Sequence, residues 1–147
     1  EALKKLMNHT GPYITVGTTS VRTVESLYWL GVKLLNGESI EAGISQWEAY
    51  TLPQNHLLKE ALQKLLEYMQ NKKLSHFQSQ TAIMIVPGYR FRVANLMVTN
   101  FHQPHSTLLL LIGAFIGEDW HKVYDYALNH EFRFLSYGDS SLLFRKD

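Results

Sequence analysis

Two turns in this chain carry side chains suited to chemistry. In the first, Gly17-Thr18-Thr19-Ser20 lies between an apolar run, Tyr13-Ile14-Thr15-Val16, and residues recurring at helical spacing, Val21, Val24, Leu27 and Tyr28. A strand that delivers the chain into a helix leaves unpaired N–H groups and partial positive charge, which suit a carboxylate or a phosphate. From spacing alone, plain helix capping by the same hydroxyls is the favoured reading. No Gly-Lys-Ser/Thr follows and no Gly-x-Gly-x-x-Gly is present, so nucleotide hydrolysis and dinucleotide binding gain no support.

The second turn, Thr99-Asn100-Phe101-His102-Gln103-Pro104-His105, places an imidazole where it can act as general acid or base. His102 and His105 are three apart, but no His-Glu-x-x-His pattern accompanies them and the other histidines are scattered, so no metal is expected. Arg22, Arg90, Arg92 and Arg133 can each pair with phosphate or carboxylate. Arg90 and Arg92 fall on one face of an expected strand beside Tyr89, which suits RNA or a solvated sheet edge equally. Asp139, in Tyr137-Gly138-Asp139, is a candidate base or ribose ligand, or an ordinary turn residue. Gly-x-Ser-x-Gly and a close carboxylate pair are both absent.

The elements that position these groups follow from the apolar pattern. A chain of 147 residues, 46% hydrophobic and 18% charged, can bury one compact core. A net charge of +1 supplies no large field, so RNA contact would need a local basic patch. Without cysteine there are no disulfides, thiolate nucleophiles or cysteine-held metals, and a reducing cytoplasm fits. The longest apolar run, residues 108–116, is too short to cross a bilayer. The chain opens in a helical pattern, Glu1-Ala2-Leu3-Lys4-Lys5-Leu6, with neither initiator methionine nor cap, and is expected to begin partway through a longer protein.

A first helix is expected to stop before Gly11-Pro12, followed by a buried strand at 13–16 and the helix after Ser20. Residues 31–54 read as a loop with short strand pieces. Leu57, Leu58, Ala61, Leu62, Leu65, Leu66 and Met69 line one face of a four-turn helix. Strands are expected at 82–86, 91–93, 96–98, 133–135 and 142–144. Helices are expected from Ser106 or Thr107 to Gly117 and over 119–129. Interleaved in this way, the elements give an α/β fold, a mixed sheet flanked by helices.

Four blocks in order carry a family likeness: Val16-Gly17-Thr18-Thr19-Ser20-Val21-Arg22-Thr23-Val24-Glu25-Ser26, Pro87-Gly88-Tyr89-Arg90-Phe91, Thr99-Asn100-Phe101-His102-Gln103-Pro104-His105-Ser106-Thr107, and Arg133-Phe134-Leu135-Ser136-Tyr137-Gly138-Asp139. Together they resemble the S-adenosylmethionine:tRNA ribosyltransferase-isomerase family. The resemblance implies transfer and isomerisation of the ribosyl group of S-adenosylmethionine, as cosubstrate and without metal, onto 7-aminomethyl-7-deazaguanine in a queuosine-type tRNA anticodon. Adenine and methionine leave and epoxyqueuosine remains.

In the mechanism the resemblance implies, a base removes a proton beside the sulfonium to give an ylide. Ring opening and adenine loss follow, the acceptor amine attacks, and epoxide closure expels methionine. On that reading His102 is first choice for acid or base and Asp139 second. Arg22, Arg90, Arg133, Asn100 and the Thr18, Thr19, Ser20 turn would hold substrate, with Tyr89, Phe101 and Tyr137 stacking on adenine or an extruded base. Family members combine an α/β catalytic domain with an inserted β-barrel. Residues 1–147 would be the C-terminal part of the former, without the barrel and with a family-atypical helical insertion at about 31–79. The expected full-length form is a cytoplasmic monomer, and the isolated piece is expected to be inactive. The alternative is a divergent non-catalytic RNA- or nucleotide-binding paralogue.

Overall fold

The computed structural model describes residues 1–103 and 106–146. His105, paired above with His102, lies outside the described residues, as do Pro104 and Asp147. Packing divides the chain into two compact units in place of the single core expected: Glu1–Gly11 with Arg22–Met84, and Pro12–Val21 with Ile85–Asp147. The reason is that the residues between Val21 and Ile85 bury their own apolar surface before the chain returns.

The first unit is mainly helical. It holds α1 (Ala2–Asn8), most of α2 (Thr18–Leu35) and α3 (Leu58–Asn71), with a 3-10 turn at Glu48–Tyr50. Its core includes Tyr28, Trp29, Leu30, Val32, Ala61, Leu62 and Leu65, all buried. Where the loop was expected to begin, at Gly31, α2 runs on to Leu35. Gly31 is the contact point: a Cβ there would lie 2.1 Å from the Ala61 carbonyl oxygen, so glycine is what lets the two helices touch. Leu57 departs from its expected apolar face and is exposed, because it precedes the first turn of α3, where its N–H donates to the Glu60 carboxylate.

Lys33 is buried on α2, and its ammonium donates to the Gly43 carbonyl and pairs with the Glu48 carboxylate. Burial pushes the Glu48 pKa up, but hydrogen bonds from Lys33 and Ser45 outweigh it and hold the carboxyl below its ordinary value. Stability from this pair is therefore present above the unfolded carboxyl pKa and is lost as pH falls through the folded one. Lys33→Ala is expected to destabilise the unit by ~3 kcal/mol, since it strands Glu48. Urea unfolding at neutral pH measures the effect.

The second unit carries a three-stranded mixed sheet in the order β1 (Ile14–Val16), β2 (Leu96–Asn100), β3 (Ser140–Phe144). β1 and β2 are parallel and β2 and β3 antiparallel. Two helices follow β2. α4 (Thr107–Ile116) starts where Ser106 Oγ accepts from the Leu108 N–H and ends at Gly117, whose φ is 61°. α5 (Asp119–Asn129) buries Tyr124 and Ala127. Met97 and Leu143 are buried on one sheet face, whereas Ile14 and Val16, expected in a buried strand, are exposed.

Three expected strands do not form, because their backbone groups bond elsewhere. Residues 82–86 run extended beside 44–46, with Ala82 N–H donating to the Ile44 carbonyl and Met84 N–H to that of Gln46, but only Ile44 and Thr81 make a bridge. At 91–93 the Arg145 guanidinium takes the Phe91 and Ala94 carbonyls, so Arg90 and Arg92 share no strand face. Within 133–135, Arg133 N–H donates to the Asp139 carboxylate and Leu135, at φ 61°, donates to the Phe101 carbonyl. A 3-10 turn, Leu135–Tyr137, takes the strand's place.

Candidate active site

Strand direction brings three of the four motif blocks together. Val16 pairs with Val98 in the parallel ladder, so β1 and β2 both deliver their following turns to the same end of the sheet. β3 runs the other way, with Ser140 opposite Asn100, and so starts at that end with Asp139 just before it. Gly17–Ser20, Thr99–His102 and Asp139 thus collect at the carboxyl end of the parallel pair, the usual place for a site in an α/β sheet. Two hydrogen bonds join them: Gly17 N–H to the Val98 carbonyl at 2.8 Å, and Asn100 Nδ2 to the Asp139 carbonyl at 3.1 Å. Gly17 holds φ at 86°, which selects glycine at this bend.

Thr18, Thr19 and Ser20 form the first turn of α2. The Ser20 hydroxyl is not free for substrate, since it donates to the Val16 carbonyl at 2.7 Å and anchors the helix start. Arg22 comes next on α2 after Val21 and belongs to the other unit. Its Nε is buried without a hydrogen-bond partner among the described residues.

His102 is half-buried just beyond β2. Its Nε2 lies 3.0 Å from Thr99 Oγ1, and its backbone N–H donates to the Tyr124 hydroxyl. With Nε2 engaged by Thr99, Nδ1 is the ring nitrogen left for a reacting proton. Burial lowers the pKa below the usual histidine value, so the ring is neutral at neutral pH, the form a base requires. Tyr124, which the sequence marks only as a packing residue of its helix, is a support for this turn. It sits on α5, 22 residues away, with no local signal linking it to the turn.

Asp139 corrects an expectation. Its carboxylate accepts from the Arg133 backbone N–H, and the Arg133 guanidinium lies 3.4 Å away. The backbone bond from Arg133, joined by the guanidinium's hydrogen bond and charge, outweighs desolvation and holds its pKa below the ordinary carboxylate value, so it is a weak base and a loop clasp. Asp139→Asn should free the 133–139 loop, seen as faster hydrogen exchange at the Arg133 amide.

The aromatic candidates also separate. Phe101 is buried with its ring against Tyr124, Phe132 and Phe134, so it is core and offers no face to adenine. Tyr89 is buried edge-on against Phe91, which packs on Phe115. Its block is tied to the opposite end of the sheet through Arg145, whose N–H also donates to the Asn95 carbonyl where β2 begins. Those ends are about 13 Å apart along β2. Tyr89 and the exposed Arg90 therefore do not join His102. Tyr137, 73% exposed, keeps an open ring face at the motif-bearing end. Among the described residues no three His, Asp or Glu side chains gather to hold a metal, and no helix is long and apolar enough to cross a membrane.

A family model described as "Queuosine biosynthesis protein" matches residues 1–143. The chain belongs to this family. Curated relatives in the queuosine biosynthesis family include the S-adenosylmethionine:tRNA ribosyltransferase-isomerase of Rhizobium meliloti, 57% identical over 68 residues, which are 46% of this chain and 19% of that protein. The enzyme of the same name from Chelativorans sp. is 51% identical over 75 residues, 50% of this chain and 21% of the relative. The crystal structure of S-adenosylmethionine tRNA ribosyltransferase from Thermotoga maritima superposes with a TM-score of 0.56 at 26% identity, covering 95% of this chain and 36% of that one. The α/β architecture is thus that of part of a family fold. The matched stretch spans about a fifth of the length of those curated relatives.

Proposed function

We propose that this chain supplies part of the catalytic machinery of an S-adenosylmethionine:tRNA ribosyltransferase-isomerase. The reaction is transfer of the isomerised ribosyl group to the aminomethyl nitrogen of 7-aminomethyl-7-deazaguanine in a tRNA anticodon, with release of adenine and methionine. The observation that carries this reading is the convergence of the Gly17–Ser20 turn, the neutral His102 imidazole and the Arg133–Asp139 loop at one end of the sheet in a chain of this family.

In this reading His102 Nδ1 takes the proton beside the sulfonium, and the imidazolium returns it to the departing adenine. N–H groups of the first turn of α2, with Thr18 and Thr19, hold the methionine carboxylate or a tRNA phosphate. Tyr137 stacks on an exposed base beside Arg133, while Asn100 and Asp139 position that loop.

The test is a chain carrying the complete family fold, incubated with S-adenosylmethionine and tRNA bearing the deazaguanine precursor. Adenine and methionine release that requires tRNA is the expected result. Release independent of tRNA counts against the assignment, and tight tRNA binding without release favours a non-catalytic binding module. The 147-residue chain alone should show little turnover, because incomplete positioning forfeits several kcal/mol of barrier reduction, of the order seen when reactants are not held together.

A further inference from the structure

Thr99 alternates with Met97 along β2 and is likewise buried, opposite Ser141, whose hydroxyl donates to the Thr99 carbonyl. Its own hydroxyl oxygen has two neighbours: the Asn100 carbonyl oxygen at 3.3 Å and His102 Nε2 at 3.0 Å. A threonine hydroxyl carries one proton and has lone pairs besides, whereas a carbonyl oxygen can only accept. Both contacts are therefore hydrogen bonds only if the Thr99 proton goes to Asn100 and a lone pair faces Nε2. Nε2 must then carry the imidazole hydrogen.

A neutral imidazole holds one N–H, and the hydrogen bond made at one nitrogen sets the character of the other. With hydrogen on Nε2, Nδ1 keeps its lone pair and can accept a proton. The other tautomer would make Nδ1 a donor and leave the Asn100 contact unmade. We propose that Thr99 is a positioning residue that selects the Nε2–H tautomer of His102 and thereby makes Nδ1 the proton acceptor. Its importance for turnover rests on the general-base reading of His102 given above; the tautomer itself does not. When Nδ1 takes the proton beside the sulfonium, the C–H electron pair stays on carbon and the ring becomes an imidazolium with hydrogen on both nitrogens. Thr99 then accepts from a charged donor, a stronger bond than the neutral ring makes, so the same hydroxyl favours the protonated ring without touching substrate.

Nuclear magnetic resonance of the 147-residue chain labelled with nitrogen-15 histidine reads the tautomer directly, above neutral pH and without substrate. The ring signals of His102 are identified by their loss in His102→Ala. The expected spectrum has a protonated nitrogen at Nε2 and a lone-pair nitrogen at Nδ1. Thr99→Val, close in shape but without the hydroxyl, should raise the ratio of Nδ1–H to Nε2–H by about tenfold, the factor one hydrogen bond supplies, and Thr99→Ser should restore it. Hydrogen on Nδ1 in the unsubstituted chain overturns the proposal, whatever Thr99→Val does to folding. So does a ratio left unchanged in Thr99→Val when its circular dichroism melt shows a folded chain. In a chain carrying the complete family fold, Thr99→Val should lower kcat for tRNA-dependent adenine release by about tenfold with KM little changed, and Thr99→Ser should recover it. A shifted tautomer with unaltered kcat would count against the general-base role of His102 and leave the tautomer assignment standing.

Discussion

His102→Ala lowers tRNA-dependent adenine release by about 100- to 10,000-fold in a chain carrying the complete family fold, the range for loss of a positioned general acid or base. The argument is geometric first. Thr99 engages Nε2 at 3.0 Å and Tyr124 holds the backbone of the same residue, so the ring is held at one nitrogen and at its base. Burial then keeps it unprotonated, which sets the pH dependence. A base with a depressed pKa is active above that pKa, so kcat/KM should fall with acid on a limb lying below the ordinary histidine value. The variant should lack that limb. Stability follows the same sign: the unfolded chain binds the proton more readily, so lowering pH through the window between the two pKa values destabilises the folded unit. Quantifying adenine by chromatography across pH separates the outcomes, and an unchanged rate in His102→Ala removes the residue from the mechanism.

Gly31→Ala destabilises the protein by about 3 kcal/mol, equivalent to roughly 10 °C in Tm for a chain of this size. In most helices this change is favourable, because alanine has the better helix propensity by about 1 kcal/mol. Here the new methyl would sit 2.1 Å from the Ala61 carbonyl oxygen, and a backbone atom in a packed helix cannot turn aside. Gly113→Ala is the internal control. It too is helical, but its methyl would meet the Trp120 side chain at 3.4 Å, and a small adjustment of that ring relieves the contact. Denaturant unfolding of the two variants should therefore give opposite or very unequal shifts. Equal shifts would mean that the α2–α3 contact is not close enough to exclude a methyl group.

What the amino-acid sequence determined by itself is local. Ser106 and Gly117 bound α4 because a hydroxyl can cap free N–H groups and glycine can take positive φ, both effects reaching only a turn along the chain. The strand, turn and helix around Gly17 and the whole span of α5 were legible for the same reason. The motif blocks marked His102, but not what holds it.

The tertiary structure decided everything that depends on a distant partner. Gly31 reads as a breaker until Ala61 is placed against it. Residues 91–93 have the alternation of a strand, yet Arg145, more than fifty residues on, takes the carbonyls a neighbouring strand would need. Asp139 changes from candidate base to clasp because Arg133 reaches it first, and Phe101 from stacking ring to core because three other rings surround it. Alternation locates apolar residues on a strand but not the layer that covers them, so Ile14 and Val16 were expected inside and stand outside. Each hydrogen-bonding group and each apolar face is satisfied by whichever neighbour folding brings to it, and that choice is made in three dimensions.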